Sequence, residues 1–204
     1  MYIPDNMQMA EPSAIADFIA GHGFGIVISD NLNASHLPLV FTSDEGDKGC
    51  LYGHMAKANP HHKELQGQRV LVIFNGPHAY ISPSWYARAP AVPTWNYAAV
   101  HCYGKIELIS DDENHSAMEE LVRKYEPSLL DTPEIMPADY QQRLRQAVVG
   151  FKVVVDEIQA KEKLGQHRKQ EDQQGVYAAL QNSPSADARL LAAYMRERGS
   201  GTGQ

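Results

Sequence analysis

Over its first 110 residues the chain sets apolar against polar positions in short runs of period two, the pattern of half-buried β-strands. Runs at 24–29, 37–42, 50–55, 69–75, 78–82 and 97–109 are separated by Gly, Pro, Asn and Asp, which favour turns over continued pairing. Six such runs with brief connections predict a closed or nearly closed antiparallel barrel, because closure removes the unpaired edges of a flat sheet. A doubly wound parallel sheet is disfavoured, since it needs a helix between most strands. Ahead of the strands, 12–21 reads as a short helix: Ser13 can cap it, Ile15, Phe18 and Ile19 form one apolar stripe, and Gly21 can end it.

After Ser110 the period changes. Met118, Leu121, Val122 and Tyr125 give 111–125 helical spacing, with acids in its first turn and Arg123 and Lys124 in its last, as the helix dipole favours. Pro127 stops it. A second helix is predicted over 138–149 from Tyr140, Leu144 and Val148, ending at Gly150. Alternation then resumes over 151–158, predicting a strand that returns to the barrel. Beyond a basic stretch at 161–169, helices are predicted over 172–181 and 186–198, separated by Asn182-Ser-Pro-Ser185. The class is therefore mainly β with α (α+β): an antiparallel barrel of six or more strands with peripheral and C-terminal helices. Its expected organisation is a barrel domain over 1–165, a helical extension over 166–198 and a flexible Gly-rich tail over 199–204.

Composition narrows the function. With 204 residues and 43% apolar content, the chain can bury a sizeable core. No run approaches the roughly 18 apolar residues of a membrane span, and the N-terminus lacks the blocks of a signal peptide, so a cytoplasmic protein without membrane contact is expected. Cys50 and Cys102 have no CxxC partner; they read as reduced thiols beside strands, and no metal site is expected. A net charge of -7 argues against a broad nucleic-acid-binding surface, so any DNA contact must be local.

Three segments carry candidate chemistry. Tyr80-Ile-Ser-Pro-Ser-Trp-Tyr86 and Val92-Pro-Thr-Trp-Asn-Tyr97 gather both tryptophans with tyrosines, hydroxyls and an amide. Stacking faces combined with the donors and acceptors of Ser82, Ser84, Thr94 and Asn96 suit a flat ligand with polar edges; two strands joined by a proline-pinned loop is the plainer alternative. In Gly53-His-Met-Ala-Lys-Ala-Asn-Pro60, His54, Lys57 and Asn59 stand where a strand end meets a loop, a place suited to an anion, or equally to a solvated lysine and a turn-capping asparagine. His61 and His62 read as exposed residues at a helix start, and His101 as a core histidine. Lys161-Glu-Lys-Leu-Gly-Gln-His-Arg-Lys169 carries four positive charges against one negative, and could grip a phosphate or serve as a solvated linker. The glycines of Gly21-His-Gly-Phe-Gly25 lack dinucleotide-binding spacing, and no P-loop, HExxH or GxSxG is present.

Taken in order, Met1-Tyr-Ile-Pro4, the 53–60 motif, the 70–74 run with Gly76-Pro77, the two aromatic segments, Val100-His101 with Gly104, and Lys161-Glu-Lys-Leu164 resemble the PaiB-like FMN-binding negative transcriptional regulators. That family is similar to the pyridoxamine-phosphate-oxidase split barrels. The resemblance implies a split barrel and a homodimer holding FMN in clefts between subunits. It places His54 and Lys57 near the FMN phosphate, and Tyr80, Ser82, Trp85, Trp95 and Asn96 around the flavin or its ribityl chain; Asn59, in the same motif as His54 and Lys57, is a further candidate for cofactor binding. Lys163 and Gln166 fall in the late basic motif, where the family tends to read Lys-Leu-Ser-Gln-Asn and this chain has Lys163-Leu-Gly-Gln-His167. Two other readings stay open: a flavin-dependent oxidoreductase with His101 or Tyr97 delivering protons, and a haem-binding split barrel with His54, His101 or His167 as axial ligand. DNA is kept as a candidate partner through the two terminal helices, whose break at 182–185 imitates a helix-turn-helix, although the mixed charge of the second counts against it.

Overall fold

Seven antiparallel strands form one sheet: β1 (Phe24–Ile28), β2 (Ala34–Pro38), β3 (Val40–Thr42), β4 (Cys50–Ala56), β5 (Arg69–Ile81), β6 (Thr94–Leu108) and β7 (Val148–Lys163), in the order β2-β1-β5-β6-β7-β4-β3. These come from a computed structural model, which describes the whole chain, Met1–Gln204. Around the sheet are α1 (Pro12–Gly21), α2 (His62–Leu65), α3 (Asp111–Tyr125), α4 (Ala138–Arg145), α5 (Gln170–Gln181) and α6 (Ala186–Glu197). The fold is the expected split barrel.

Leu39 shows how the barrel closes. The predicted run 37–42 is two strands: β2 pairs with β1 (Gly25 opposite Leu37), and β3 pairs with β4 (Phe41 opposite Leu51). These two strands stand at opposite ends of the sheet order, yet only Leu39 separates them, so the chain itself ties one end to the other. Leu39 is fully buried and donates its N–H to the Gly23 carbonyl at 2.8 Å. Gly53 makes room for it: a Cβ there would lie 2.5 Å from Leu39 Cδ2 and 2.9 Å from Phe151 Cζ.

Conversely, the runs 69–75 and 78–82 are a single strand, β5, because proline's fixed φ is compatible with extended backbone and Gly76-Pro77 does not bend the chain. The helix predicted over 138–149 ends at Arg145. Val148 and Val149 instead start β7, opposite Ala56 and Met55, where β-branched side chains fit a pleated surface. Helix α3 matches its expectation, and a capping box adds to it: Ser110 Oγ accepts from the Glu113 N–H while Glu113 Oε2 accepts from the Ser110 N–H.

The chain packs as two compact units. One comprises Met1–Ile15, Asn75–Val100 and Gln159–Gln204; the other comprises Ala16–Phe74 and His101–Ile158. Strands β5, β6 and β7 each contribute residues to both. Helices α5 and α6 thus share a unit with the aromatic segments instead of forming a separate extension over 166–198.

The Gly-rich end is not a flexible tail. Gly201, Thr202 and Gly203 are buried, the Gly203 carbonyl accepts from Gln170 Nε2 at 2.9 Å and Gln174 Nε2 at 2.8 Å, and Gly203 donates to Gln173 Oε1 at 3.2 Å. Gly199, Gly201 and Gly203 have φ of 58°, 75° and 72°, so the glycines supply a left-handed backbone for a tight return over α5, not freedom. Cys50 and Cys102 are free buried thiols in β4 and β6, and burial pushes Cys102 up to about 12. No helix is long and apolar enough to cross a membrane.

Candidate functional site

Alternate residues of a strand share a face, and in the first unit three neighbouring strands use this to build one surface. Strand β5 presents His78 and Tyr80, β6 presents Trp95 and Tyr97, and β7 carries Lys161 and Lys163 at its end. The intervening Ala79, Ile81, Asn96 and Ala98 are buried. Tyr80 meets Trp95 edge-on at 6.3 Å between ring centroids, and His78 lies 6.0 Å from Trp95 at 33°. Tyr80 and Trp95 are each 48% exposed, a large apolar area left facing solvent. Beside them runs an open groove of about 340 Å³ lined by Asn75, Gly76, His78, Trp95, Tyr97 and Ala98.

The two lysines lack counter-ions. Lys161, only 6% exposed, donates to the Tyr2 carbonyl at 2.9 Å and sits 5.2 Å from the Tyr97 ring and 5.6 Å from the Tyr2 ring. These π faces and one carbonyl partly replace water around the ammonium. Lys163 donates to Thr94 Oγ1 at 2.5 Å and to the Trp95 carbonyl at 2.8 Å, which holds the lysine beside the indole. Neither lysine forms an ion pair with a carboxylate, since Glu162 between them is taken by Arg198 (2.6 Å) and by the Tyr194 hydroxyl. Burial lowers the Lys163 pKa, and the nearby charges of Lys161 and Arg168 add to it in the same direction. An aromatic plane flanked by positive charge without compensation suits a flat ligand carrying an anionic group.

Other predicted residues have different places. Ser82 caps the short 3-10 turn Pro83–Trp85, with its Oγ accepting the Ser84 N–H at 3.3 Å. Half-buried Trp85 lies in that turn, with its carbonyl against Gly175 of α5, where a Cβ would come within 2.2 Å. Asn96, 3% exposed, alternates to the opposite face from Trp95. Gln166 is spent on the chain: Nε2 donates to the Asn6 and Glu162 carbonyls (2.9 and 2.7 Å), and Oε1 accepts the Leu164 N–H at 2.8 Å. Gly165, with φ of 82°, accounts for glycine where the family tends to have serine. Arg168 stacks on Tyr86 at 4.8 Å.

His54, Lys57 and Asn59 belong to the second unit. His54 is half-buried on β4, and burial lowers its pKa. The Lys57 side chain is exposed, lining a cavity with Asp111, Asp112 and Arg145. Asn59 takes the turn-capping alternative: Oδ1 accepts the His61 N–H and Nδ2 donates to Ser35 Oγ, both at 3.1 Å. His61 is not exposed as expected: it precedes α2, is 4% exposed, and has its Nδ1 2.8 Å from Ser35 Oγ. His101 lies on β6 with a buried Nδ1, and desolvation lowers its pKa. The sequence points to the segments that hold Lys161 and Tyr97, the basic stretch and the second aromatic run, without separating these two residues from their neighbours, and it does not point to His78. Period two from Tyr80, Trp95 and Lys163 would have found all three.

Residues 1–157 match a family model described as "Putative FMN-binding domain". The chain belongs to this FMN-binding domain family. The matched span includes the aromatic face and stops short of Lys161 and Lys163. Over 209 residues, 97% of this chain and 98% of the relative, it is 38% identical to the protease synthase and sporulation protein PAI 2 of Bacillus subtilis (strain 168), which bears out the resemblance drawn from the motifs. It is 33% identical over 207 residues to the uncharacterized protein AN0679 of Emericella nidulans, covering 82% of each chain. Among solved structures, the flavocytochrome Anf3 from Azotobacter vinelandii superposes with a TM-score of 0.58 at 14% identity, over 80% of this chain and 73% of that one. The FAD and heme binding protein from Mycobacterium smegmatis gives 0.55 at 15% identity, over 78% and 74%. At such identities the likeness speaks for the fold alone.

Proposed function

We propose that this FMN-binding-family member binds FMN on the His78–Tyr80–Trp95–Tyr97 face with the phosphate at Lys161 and Lys163, and acts in the cytoplasm as a homodimeric regulator of the PaiB type. The observation that carries the flavin assignment is the pairing of half-exposed rings with two lysines that have no carboxylate partner. The residues fit the group: indole and phenol faces suit an isoalloxazine, and the spare ammonium hydrogens suit a phosphate. Aromatics so exposed gain from being covered on their outer side, which supports a second subunit closing the cleft. The regulatory role rests on the family motifs. DNA contact, if made, falls to α5 and α6 around Asn182 to Ser185, and a net charge of -7 makes it local.

Bound FMN supplies hydride and electron transfer, while the chain orients the ring, shields it from water and neutralises its phosphate. Tyr97 favours an oxidoreductase as the second reading, because it lines the same groove and offers a phenolic proton there. Stopped-flow mixing of the FMN-loaded protein with NADH or NADPH separates the two: rapid bleaching of the flavin band supports an enzyme, and inertness supports a regulator.

The phosphate assignment is tested with Lys163→Met. FMN affinity is expected to fall about tenfold or more, as for a lost charge-assisted hydrogen bond, while riboflavin affinity stays near wild type in parallel fluorescence titrations. Equal losses for both ligands would remove Lys163 from the phosphate.

A further inference from the structure

Arg145 ends α4 where two cavities of the second unit adjoin. One, of about 220 Å³, is walled by Met118, Leu121, Val122, Leu130, Met136 and Leu144, with His54 and Glu119 at its margin. The other, of about 310 Å³, is polar and lined by Lys57, Asp111, Asp112, Asn114, Gln142 and Gln146. His115 and Arg145 line both. Arg145 Nη1 is buried without a hydrogen-bond partner, and the guanidinium forms no ion pair. The neighbouring acids are otherwise placed. Glu119 is 3.5 Å from His115 Nε2, Asp139 pairs with Arg143 at 3.6 Å, and Asp111 and Asp112 sit in the first turn of α3, where the helix dipole stabilises them. A buried guanidinium nitrogen with nothing to donate to is costly unless something supplies an acceptor.

We propose that the two cavities form one site for a small carboxylate with an apolar body, the carboxylate held by Arg145 and the body enclosed by Met118, Leu121, Val122, Leu130 and Met136. The apolar cavity is smaller than the roughly 300–1,000 Å³ of drug-sized pockets, which limits the body to a phenyl or a short branched alkyl group. Two methionines in the wall let it adapt to either shape. His54, kept neutral by its burial, adds a hydrogen-bonding group without charge. The carboxylate has two sources: a simple acid, or an apolar amino acid whose ammonium is taken by Asp111 and Asp112. Nothing in this site depends on flavin binding.

Calorimetry on the full chain with 3-phenylpropanoate, 3-phenylpropan-1-ol and phenylalanine tests the proposal. The wild type is expected to prefer the acid over the alcohol by about tenfold or more, the size of a charge-assisted hydrogen bond. In Arg145→Gln that preference is lost while the alcohol binds as before, so a general unfolding is recognised by loss of both. Should that variant unfold, Arg145→Lys is expected to retain part of the preference, because it keeps the charge and loses the fork. Phenylalanine binding as well as the acid supports the amino-acid source, and weaker binding supports the simple acid. Equal wild-type affinity for acid and alcohol, no binding of either at millimolar concentration, or an unchanged preference in Arg145→Gln overturns the proposal.

Discussion

Trp95→Ala is expected to weaken FMN about tenfold to a hundredfold and to weaken riboflavin by the same factor. The indole is half exposed, flanked by His78 and Tyr80, and held by Lys163 through its own carbonyl, so it offers a rigid face at little entropic cost. Stacking of a flat heterocycle on such a face is worth about 1–3 kcal/mol, and each 1.4 kcal/mol is tenfold in affinity. Both ligands share the ring system and so share the loss, which separates this variant from the lysine variant that discriminates between them. Trp95→Phe should recover most of the affinity. Tyr125→Ala, which removes another exposed aromatic in the second unit, should leave it unchanged. Flavin fluorescence quenching on titration with each variant gives the comparison, and wild-type affinity in Trp95→Ala would take the flavin off this face.

The second large effect is on stability. Glu162→Ala is expected to lower the unfolding free energy by about 2–4 kcal/mol, read from urea denaturation. Glu162 is buried on β7 and accepts from Arg198 Nε at 2.6 Å, Arg198 Nη2 at 3.3 Å and the Tyr194 hydroxyl, so it fastens α6 and the chain end to the strand that carries Lys161 and Lys163. Removing one partner of a buried pair typically costs about 3–5 kcal/mol, reduced here because the Arg198 side chain is 31% exposed and can find water. Arg198→Ala should cost at least as much, since the carboxylate it leaves behind is only 9% exposed and keeps the Tyr194 hydroxyl but no counter-charge. Burial, with that carboxylate second, raises the Tyr194 pKa, so its phenol stays protonated and keeps donating. Unchanged stability in Glu162→Ala would mean that α6 is held by its apolar contacts alone.

Where local chemistry decides a structure, the sequence made it legible. Helix α3 announces itself through Ser110, its acids and Pro127, and β4, β6 and α1 through clean periodicity with turn residues at their ends. The misreadings arose where tertiary pairing overrides a local signal. Gly76-Pro77 looks like a break but lies within β5, and Val148 completes a helical stripe yet pairs with Ala56. Leu39 carries no mark of being the corner that ties β2 to β3. Glycine-rich composition suggested freedom at the chain end, while the actual need was positive φ. The candidate site was half legible for a similar reason. Residue type drew attention to Tyr80 and Trp95, and also to Ser82, Asn96 and Gln166, whose polar groups are spent on the backbone or turned inward. Only strand adjacency distinguishes the two sets, and adjacency across β5, β6 and β7 spans more than 80 residues of chain between Tyr80 and Lys163.

A crystal structure of the protein with FMN tests the central claim most directly. The isoalloxazine is predicted to lie on the Trp95 and Tyr97 side of the sheet, with phosphate oxygens within hydrogen-bonding distance of Lys161 or Lys163 Nζ. A flavin found elsewhere, with this face covered only by side chains of a second subunit, would contradict it.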